Sequence, residues 1–291
     1  MIDIKLILTQ PEKVKELLAL KGCDADLGRI AELDERRRAL ITKGDELKKQ
    51  RNEASALVPK LKKEGKDVSE IIARTKQTGA EIAETDKLIA ETEKELTDAV
   101  AVLPNLPDED LKGGGKENNE VVKVFGEKPT FDGFTPLGHV ELCRRHGLID
   151  YERGVKLSGS GHWIYRGKGA QLEWALLNFF VSEHLKDGYE FILPPLALGY
   201  NCGFGSGQFP KFKDEVYWVE DAEASDRTKM KFMLPTAETA LVNLYSGEML
   251  KESELPKKLF AYTPCFRKEA GSYRSEERGM IRGHQFNKVE M

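Results

Sequence analysis

Near the carboxy-terminal end of the sequence, Arg267 and Glu269 stand one residue apart, and Arg282, Phe286 and Glu290 follow beyond a charged, glycine-bearing stretch. The flanking runs, 259–269 and 282–290, alternate in polarity, which predicts two strands joined by one loop and paired antiparallel. Side chains alternate along a strand, so Arg267 and Glu269 share a face. Arg282, Phe286 and Glu290 share one with His284 and Lys288. Two guanidiniums match phosphate oxygens, a phenyl ring stacks on a planar base, and two carboxylates accept N–H groups from a base or an ammonium, or help to hold a metal. The set suits a nucleotide. An ordinary surface hairpin laced with salt bridges would contain the same residue types, so at this level both readings stand. The Gly-Ser-Gly run at 159–161 is not followed by Gly-Lys-Ser/Thr and is given no phosphate role.

The hairpin needs a frame, and residues 121–291 are expected to supply it. Helices are predicted over 136–146, 170–186 and 236–245, the second amphipathic through Leu172, Leu176, Phe179 and Phe180. Extended runs are predicted over 157–165, 189–193, 216–219 and 231–234. The pattern is α+β with a mainly antiparallel sheet, not a repeating βαβ unit.

Residues 26–103 differ in kind. They contain no Trp, Tyr or Phe, and their only proline is Pro59. Every seventh residue gives Leu33, Leu40, Leu47, Ala54 and Leu61, with a companion row Ile30, Arg37, Gly44, Arg51 and Val58. After a polar turn at 64–67 a second row runs Val68, Thr75, Ile82, Ile89, Leu96 and Leu103. Period seven predicts one seam per helix and an antiparallel coiled-coil hairpin about 50–55 Å long. Pro59 is expected to kink or fray the first helix near the tip. Residues 26–66 hold 12 basic against 8 acidic side chains, and 67–101 hold 4 against 9. Such charge is ordinary for a structural coiled coil. It also suits a probe for a phosphate backbone using Arg29, Arg36, Arg38, Lys43, Lys48, Lys60, Lys62 and Lys63. Prolines 104 and 107 and a Gly-Gly-Gly run at 113–115 mark a linker over 104–120, between a domain at 1–103 and another at 121–291.

The chain has 291 residues and a net charge of −4, which argues against a uniformly basic nucleic-acid binder. Its four cysteines are scattered, so no disulfide framework is expected and a reducing cytoplasm is. No apolar run is long enough for a membrane span. His139, Cys143 and His146 are closely spaced, but helix packing is the expected reason, not a zinc site.

TPCFRKEAGSYRSEERGMIRGHQFNKVE at 263–290 closely resembles the second signature motif of seryl-tRNA synthetases, a class II aminoacyl-tRNA synthetase family. GHVEL at 138–142, HGLIDYERG at 146–154, KGAQLEWALLNF at 168–179, GYEFILPP at 188–195, GSGQFPKF at 205–212 and LPTAET at 234–239 follow in that family's order. The hairpin at 26–103 is similar to its tRNA-binding arm. The resemblance implies an arm followed by a class II antiparallel catalytic domain. It implies formation of seryl-adenylate from serine and ATP with magnesium, then transfer to the 3′ end of tRNA(Ser), and of tRNA(Sec). It places ATP on Arg267, Lys268, Glu269, Arg282, Gly283 and Phe286, and serine on Thr236, Ala237, Glu238 and Glu290. Thr236 is also expected to cap the following helix. A cytoplasmic homodimer is implied, because the family's arm reaches tRNA on the partner subunit, with 188–195 at the interface.

Departures are Gly199-Tyr200-Asn201-Cys202, Phe209 in place of a leucine, and Gly161-His162-Trp163. The stretch ends at the close of the second motif, so the third motif, with its adenine-facing arginine, is expected to lie outside it. Alternatives are a non-catalytic relative that keeps tRNA binding and a coiled-coil scaffold without an RNA role. The 291-residue polypeptide alone is therefore expected to give no serine-dependent pyrophosphate exchange; measurable exchange would contradict the motif boundary.

Overall fold

The computed structural model describes residues 1–219, 229–269 and 279–291. The chain divides into two compact units, Met1–Val124 and Phe125–Met291.

The first unit opens with two short helices, α1 (Ile4–Thr9), capped by the Asp3 carboxylate, and α2 (Pro11–Leu20), with proline at its first position. A long hairpin follows, α3 (Leu27–Lys63) against α4 (Ser69–Ala101). Asp26 accepts the Arg29 N–H and Asp67 the Ser69 N–H, satisfying donors that a helix start leaves orphaned. Gly65 turns the tip at φ +70°. The helix α3 continues through Pro59 to Lys63, so no fray begins at the proline.

The heptad rows face inward. Ile30, Leu33, Gly44 and Leu47 from α3 and Ile82 and Leu96 from α4 are buried. Three threonines complete the α4 seam: Thr78, Thr85 and Thr92 are buried and donate their hydroxyls to the carbonyls of Arg74, Glu81 and Leu88 at 3.0, 2.8 and 2.7 Å. A hydroxyl satisfied within its own helix presents its methyl to the seam at little polar cost. Asp34, also buried, is held by Arg37 and Arg38. At the base, Ile7, Val14 and Leu18 pack with Ile30, Leu33, Leu96 and Val100.

In the second unit, β7 (Leu259–Phe266) lies between β3 (Glu190–Ile192) and β8 (Gln285–Glu290). A second sheet has the order β4 (Ala197–Gly199), β6 (Lys231–Met233), β5 (Trp218–Val219), and β1 (Ile149–Asp150) pairs with β2 (Ile164–Tyr165). These pairings are antiparallel except β3 with β7, which is parallel. The chain leaves β3, builds the small sheet and re-enters at the same end, the long crossover that a parallel pair requires. The α+β class holds, with that one parallel pair in an otherwise antiparallel arrangement.

The helices are α5 (His139–Arg145), α6 (Tyr151–Ser158), α7 (Lys168–Lys186), α8 (Tyr200–Gly205) and α9 (Glu238–Leu241). Leu157 thus lies in the last turn of a helix instead of beginning an extended run, and the helix expected over 236–245 shrinks to one turn. The expected inward face of α7 is also different. Leu172, Leu176, Phe179 and Phe180 are exposed, and Gly169 and Leu177 are buried. Gly169 is glycine because a Cβ there would meet the Leu148 carbonyl. The unusual Phe209 fills the core beside Tyr200, Trp218 and Phe232, with its ring over Gly203.

The seam at Gly44 is a test of the arm. An added Cβ would lie 3.6 Å from Thr85 Cγ2 and 3.8 Å from Ile89 Cδ1, ordinary contact distances. Gly44→Ala is expected to stabilise the arm by about 0.5–1 kcal/mol through helix propensity. Gly44→Leu is expected to destabilise it by about 1–3 kcal/mol through overpacking. Amide exchange across α3 and α4 reads both, and equal protection in the two variants would contradict this seam.

Candidate active site

The register of β7 on β8 builds the site. Cys265 stands opposite Phe286, Thr263 opposite Lys288 and Ala261 opposite Glu290. Directly opposed residues share a face, so Phe286, Lys288 and Glu290 stand beside Cys265, Thr263 and Ala261 on one face. Those three β7 residues are buried, which fixes this face. Past the end of β7, Arg267 N–H still donates to the His284 carbonyl at 2.9 Å, so Arg267 joins the same row. Its guanidinium lies 5.1 Å over the Phe286 ring, and its Nε donates to the Pro235 carbonyl at 3.1 Å. The alternation read from sequence is therefore physically realised for Arg267 and Phe286.

Glu269 and Arg282 meet across the strand ends, Nη1 to Oε2 at 2.8 Å. Glu269 sits at φ 50°, a left-handed conformation that is costly for a side chain with a Cβ, and it marks where the strand direction ends. Residues 270–278, the loop between the motif's two halves, lie outside the described residues. Two concavities share Arg267, Glu269 and Arg282 as their common wall. One, of about 570 Å3, continues to Trp163, Tyr165, Phe286 and Lys288; the other, of about 470 Å3, to Gln208, Phe212, Glu215 and Pro235. Lys268 lines neither of them. Its side chain is exposed, with the ammonium 5.8 Å from the centre of the Tyr217 ring, while its N–H donates to Glu215. Gly283 is buried against the Trp163 ring, where a Cβ has no room. Gly161 is equally close to His284 and accepts its N–H at 3.2 Å. The departure at 161–163 is thus packed on the returning strand.

The third group is a closed ring. Thr236 Oγ1 donates to Glu290 Oε2 at 2.6 Å, Lys288 Nζ donates to Thr236 Oγ1 at 3.0 Å, and Lys288 pairs with Glu290. Burial opposes ionisation of Glu290, but hydrogen bonds from Lys288 and Thr236 and the charges of Lys288 and Arg267 outweigh it and hold the carboxyl below its usual range. Thr236 is not a cap. The N-cap position of α9 belongs to buried Ala237, whose methyl offers no side-chain bond, and the Thr236 hydroxyl is committed to Glu290. Glu238 is exposed at the first turn of α9; its carbonyl accepts the Val242 N–H, and its side chain makes no hydrogen bond or ion pair among the described residues. On the other face of the hairpin, Tyr262 donates to Asn287 and Asn287 to Glu173 of α7, both at 3.1 Å.

In the arm, three of the eight singled-out cations are already paired: Arg29 with Glu95, Arg38 with Asp34 and Lys48 with Asp86. Arg36, Lys43, Lys60, Lys62 and Lys63 are exposed and make no ion pair among the described residues.

Residues 1–107 match the seryl-tRNA synthetase N-terminal domain, and 217–291 match the class II tRNA synthetase core domain (G, H, P, S and T). The chain is 54% identical over 292 residues to serine–tRNA ligase 2 of Clostridium acetobutylicum, covering 100% of this chain and 68% of that one. The chain belongs to the seryl-tRNA synthetase family. It is 45% identical over 296 residues to the serine–tRNA ligase of Thermotoga petrophila, again covering 68% of that chain. Seryl-tRNA synthetase of Pyrococcus horikoshii, solved in complex with ATP, superposes with a TM-score of 0.82 at 27% identity, over 99% of this chain and 68% of that one.

Within this seryl-tRNA synthetase fold, Lys288 is the member of the site that sequence reading named on the correct face yet gave no part. Its position two residues before Glu290 and two after Phe286 was the available signal. The ring it closes yields a pH test. The folded Glu290 carboxyl lies below its ordinary 4.5, so ionised Glu290 favours folding above that value, and the contribution is lost as pH falls through the depressed value. Glu290→Gln is expected to lower Tm at neutral pH, with the gap to the parent closing in acid. A gap independent of pH would contradict the ring.

Proposed function

We propose that this chain carries the arm and the nucleotide platform of a serine–tRNA ligase, which joins serine to ATP as seryl-adenylate, releases pyrophosphate, and passes the seryl group to the 3′ end of tRNA(Ser) and tRNA(Sec). The observation that carries the reading is the single row of Arg267, Phe286, Lys288 and Glu290 on one face of β7–β8, with Thr236 bonded to its end.

The chemistry asks for little proton transfer. Serine's carboxylate, with a pKa of about 3.5, is already a nucleophile at neutral pH. Catalysis then rests on orientation and on stabilising charge at the α-phosphate. Arg267, held by Pro235 and Phe286, faces that phosphate; Arg282 and Glu269 flank the triphosphate; Phe286 offers its ring to adenine; Gly283 lets the backbone come close. Thr236, Ala237, Glu238 and Glu290 surround the amino acid. Lys268 lies further from the cavities and serves ATP through its charge alone.

Magnesium binds through one or two carboxylates beside substrate phosphates, and Glu269, on the wall shared by both concavities, fits that requirement. Bound there, the ion would neutralise phosphate charge as pyrophosphate leaves. The domain division proposed is 1–103 for tRNA, 104–120 as linker and 121–291 for catalysis. A homodimer is supported by the uncovered apolar residues of α7, Leu172, Trp174, Phe179 and Phe180. No helix among the described residues is long and apolar enough to cross a membrane, and the reading places the protein in the cytoplasm.

Calorimetric titration with ATP tests the platform. Arg267→Ala is expected to weaken binding about tenfold to a hundredfold, the cost of losing a charge-assisted hydrogen bond. Unchanged ATP affinity in that variant would overturn the assignment. For the arm, replacing Lys60, Lys62 and Lys63 together with Gln is expected to weaken binding of a long-armed tRNA and to reduce the log–log salt slope by about 2–3. An unaltered slope would place the RNA elsewhere.

A further inference from the structure

The proposed serine pocket contains one charged side chain with no assigned part. We propose that Lys288 is a positioning residue that sets the specificity of this pocket: its ammonium closes a neutral ring with Thr236 and Glu290 that accepts a side-chain hydroxyl and disfavours a side-chain cation. The inference rests on the serine-site reading above and names the group that tunes it.

Hydrogen-bond accounting gives the reason. A threonine hydroxyl has one proton and two lone pairs. Here the proton goes to Glu290 Oε2 and one lone pair receives Lys288 Nζ. The hydroxyl rotor is thereby fixed. What the ring still offers is acceptor capacity, the second lone pair of Thr236 and Oε1 of Glu290. A ligand hydroxyl or ammonium donates to both. A methyl satisfies neither, which is the penalty that rejects an alanine-like ligand.

Charge decides between the remaining donors. Glu290 alone would present a full negative charge and would attract a cationic side chain most strongly. With Lys288 paired to it the ring sums to zero, and a second ammonium meets a like charge. Lys288 also keeps the carboxyl ionised, and therefore an acceptor, at a position only 21% exposed. Thr236, 3% exposed, can be reached by Lys288 because both lie on the hairpin's buried-side row and the adjoining segment. Of the three ring members, Lys288 lines the cavity that contains Arg267 and Phe286, and Thr236 and Glu290 do not.

The experiment compares binding of L-serine, L-alanine and L-2,3-diaminopropionate to the 291-residue chain by calorimetry, at a slightly acidic pH where the second amine is protonated. The parent, Lys288→Met and Lys288→Arg are measured together. Lys288→Met is expected to lose about tenfold in serine affinity and to shift the diaminopropionate-to-serine ratio at least about tenfold toward the cation. Lys288→Arg, which keeps the charge, is expected to retain the parent's order of preference. Carbon-13 NMR titration of the Glu290 carboxyl, without ligand, is expected to show a higher pKa in Lys288→Met than in the parent.

Serine binding with an unchanged preference in Lys288→Met would overturn the proposal and leave the pocket assignment standing. A parent that binds no serine, with the Glu290 titration displaced as expected, would overturn the pocket assignment, and the specificity claim with it. An undisplaced Glu290 titration would show that the ring does not operate.

Discussion

The antiparallel pairing of β7 with β8 in one register is the constraint on which the site depends. Strand side chains have a period of two, so a slip of one residue would carry Phe286, Lys288 and Glu290 to the opposite face together. The register is pinned from both sides. Ala261, Thr263 and Cys265 are buried beside the functional row on one face, and Tyr262 and Asn287 are tied through Glu173 to α7 on the other. A third strut acts at the strand end, where Phe266 N–H donates to the Leu234 carbonyl at 2.9 Å. That bond brings the 234–239 segment alongside the hairpin, and so places Thr236 within reach of a carboxylate 54 residues away in sequence.

From this register the chemistry divides along the row. The end with Arg267, Arg282 and Phe286 is cationic and aromatic, the character a triphosphate and a base require. The end with Thr236, Lys288 and Glu290 is a compact polar ring, suited to a small zwitterion. The two ends are joined without a glycine-rich phosphate loop. Glycine enters for steric reasons instead: Gly161 and Gly283 let the Trp163 and His284 rings press onto the backbone. Of the departure at 161–163, Trp163 is thus accommodated by Gly283 on the opposing segment, and Gly161 in turn makes room for His284.

Much of this was legible in the sequence where one rule acted alone. The arm's period of seven located both helices, and strand alternation put Arg267 and Phe286 together. The misses occurred where a second force competed. Thr78, Thr85 and Thr92 fill the α4 seam because each hydroxyl is satisfied within its own helix, so polarity was a poor guide to burial. Thr236 looked like a helix cap by local sequence, but Glu290 from a distant strand claims the hydroxyl. The apolar face of α7 suggested core, yet the chain itself leaves Leu172 and Phe179 uncovered, and no local pattern distinguishes a face bound for core from one bound for a partner. The parallel pairing of β3 with β7 spans a connection too long for any local signal.

Cross-strand backbone NOEs in the hairpin test the central claim most directly. The account predicts cross-peaks linking Cys265 with Phe286 and Thr263 with Lys288, together with an Arg267 amide protected by the His284 carbonyl. Cross-peaks linking Cys265 with Gln285 or Asn287 as its opposed residue would signal a slipped register, and would contradict the account by sending Phe286, Lys288 and Glu290 to the wrong face.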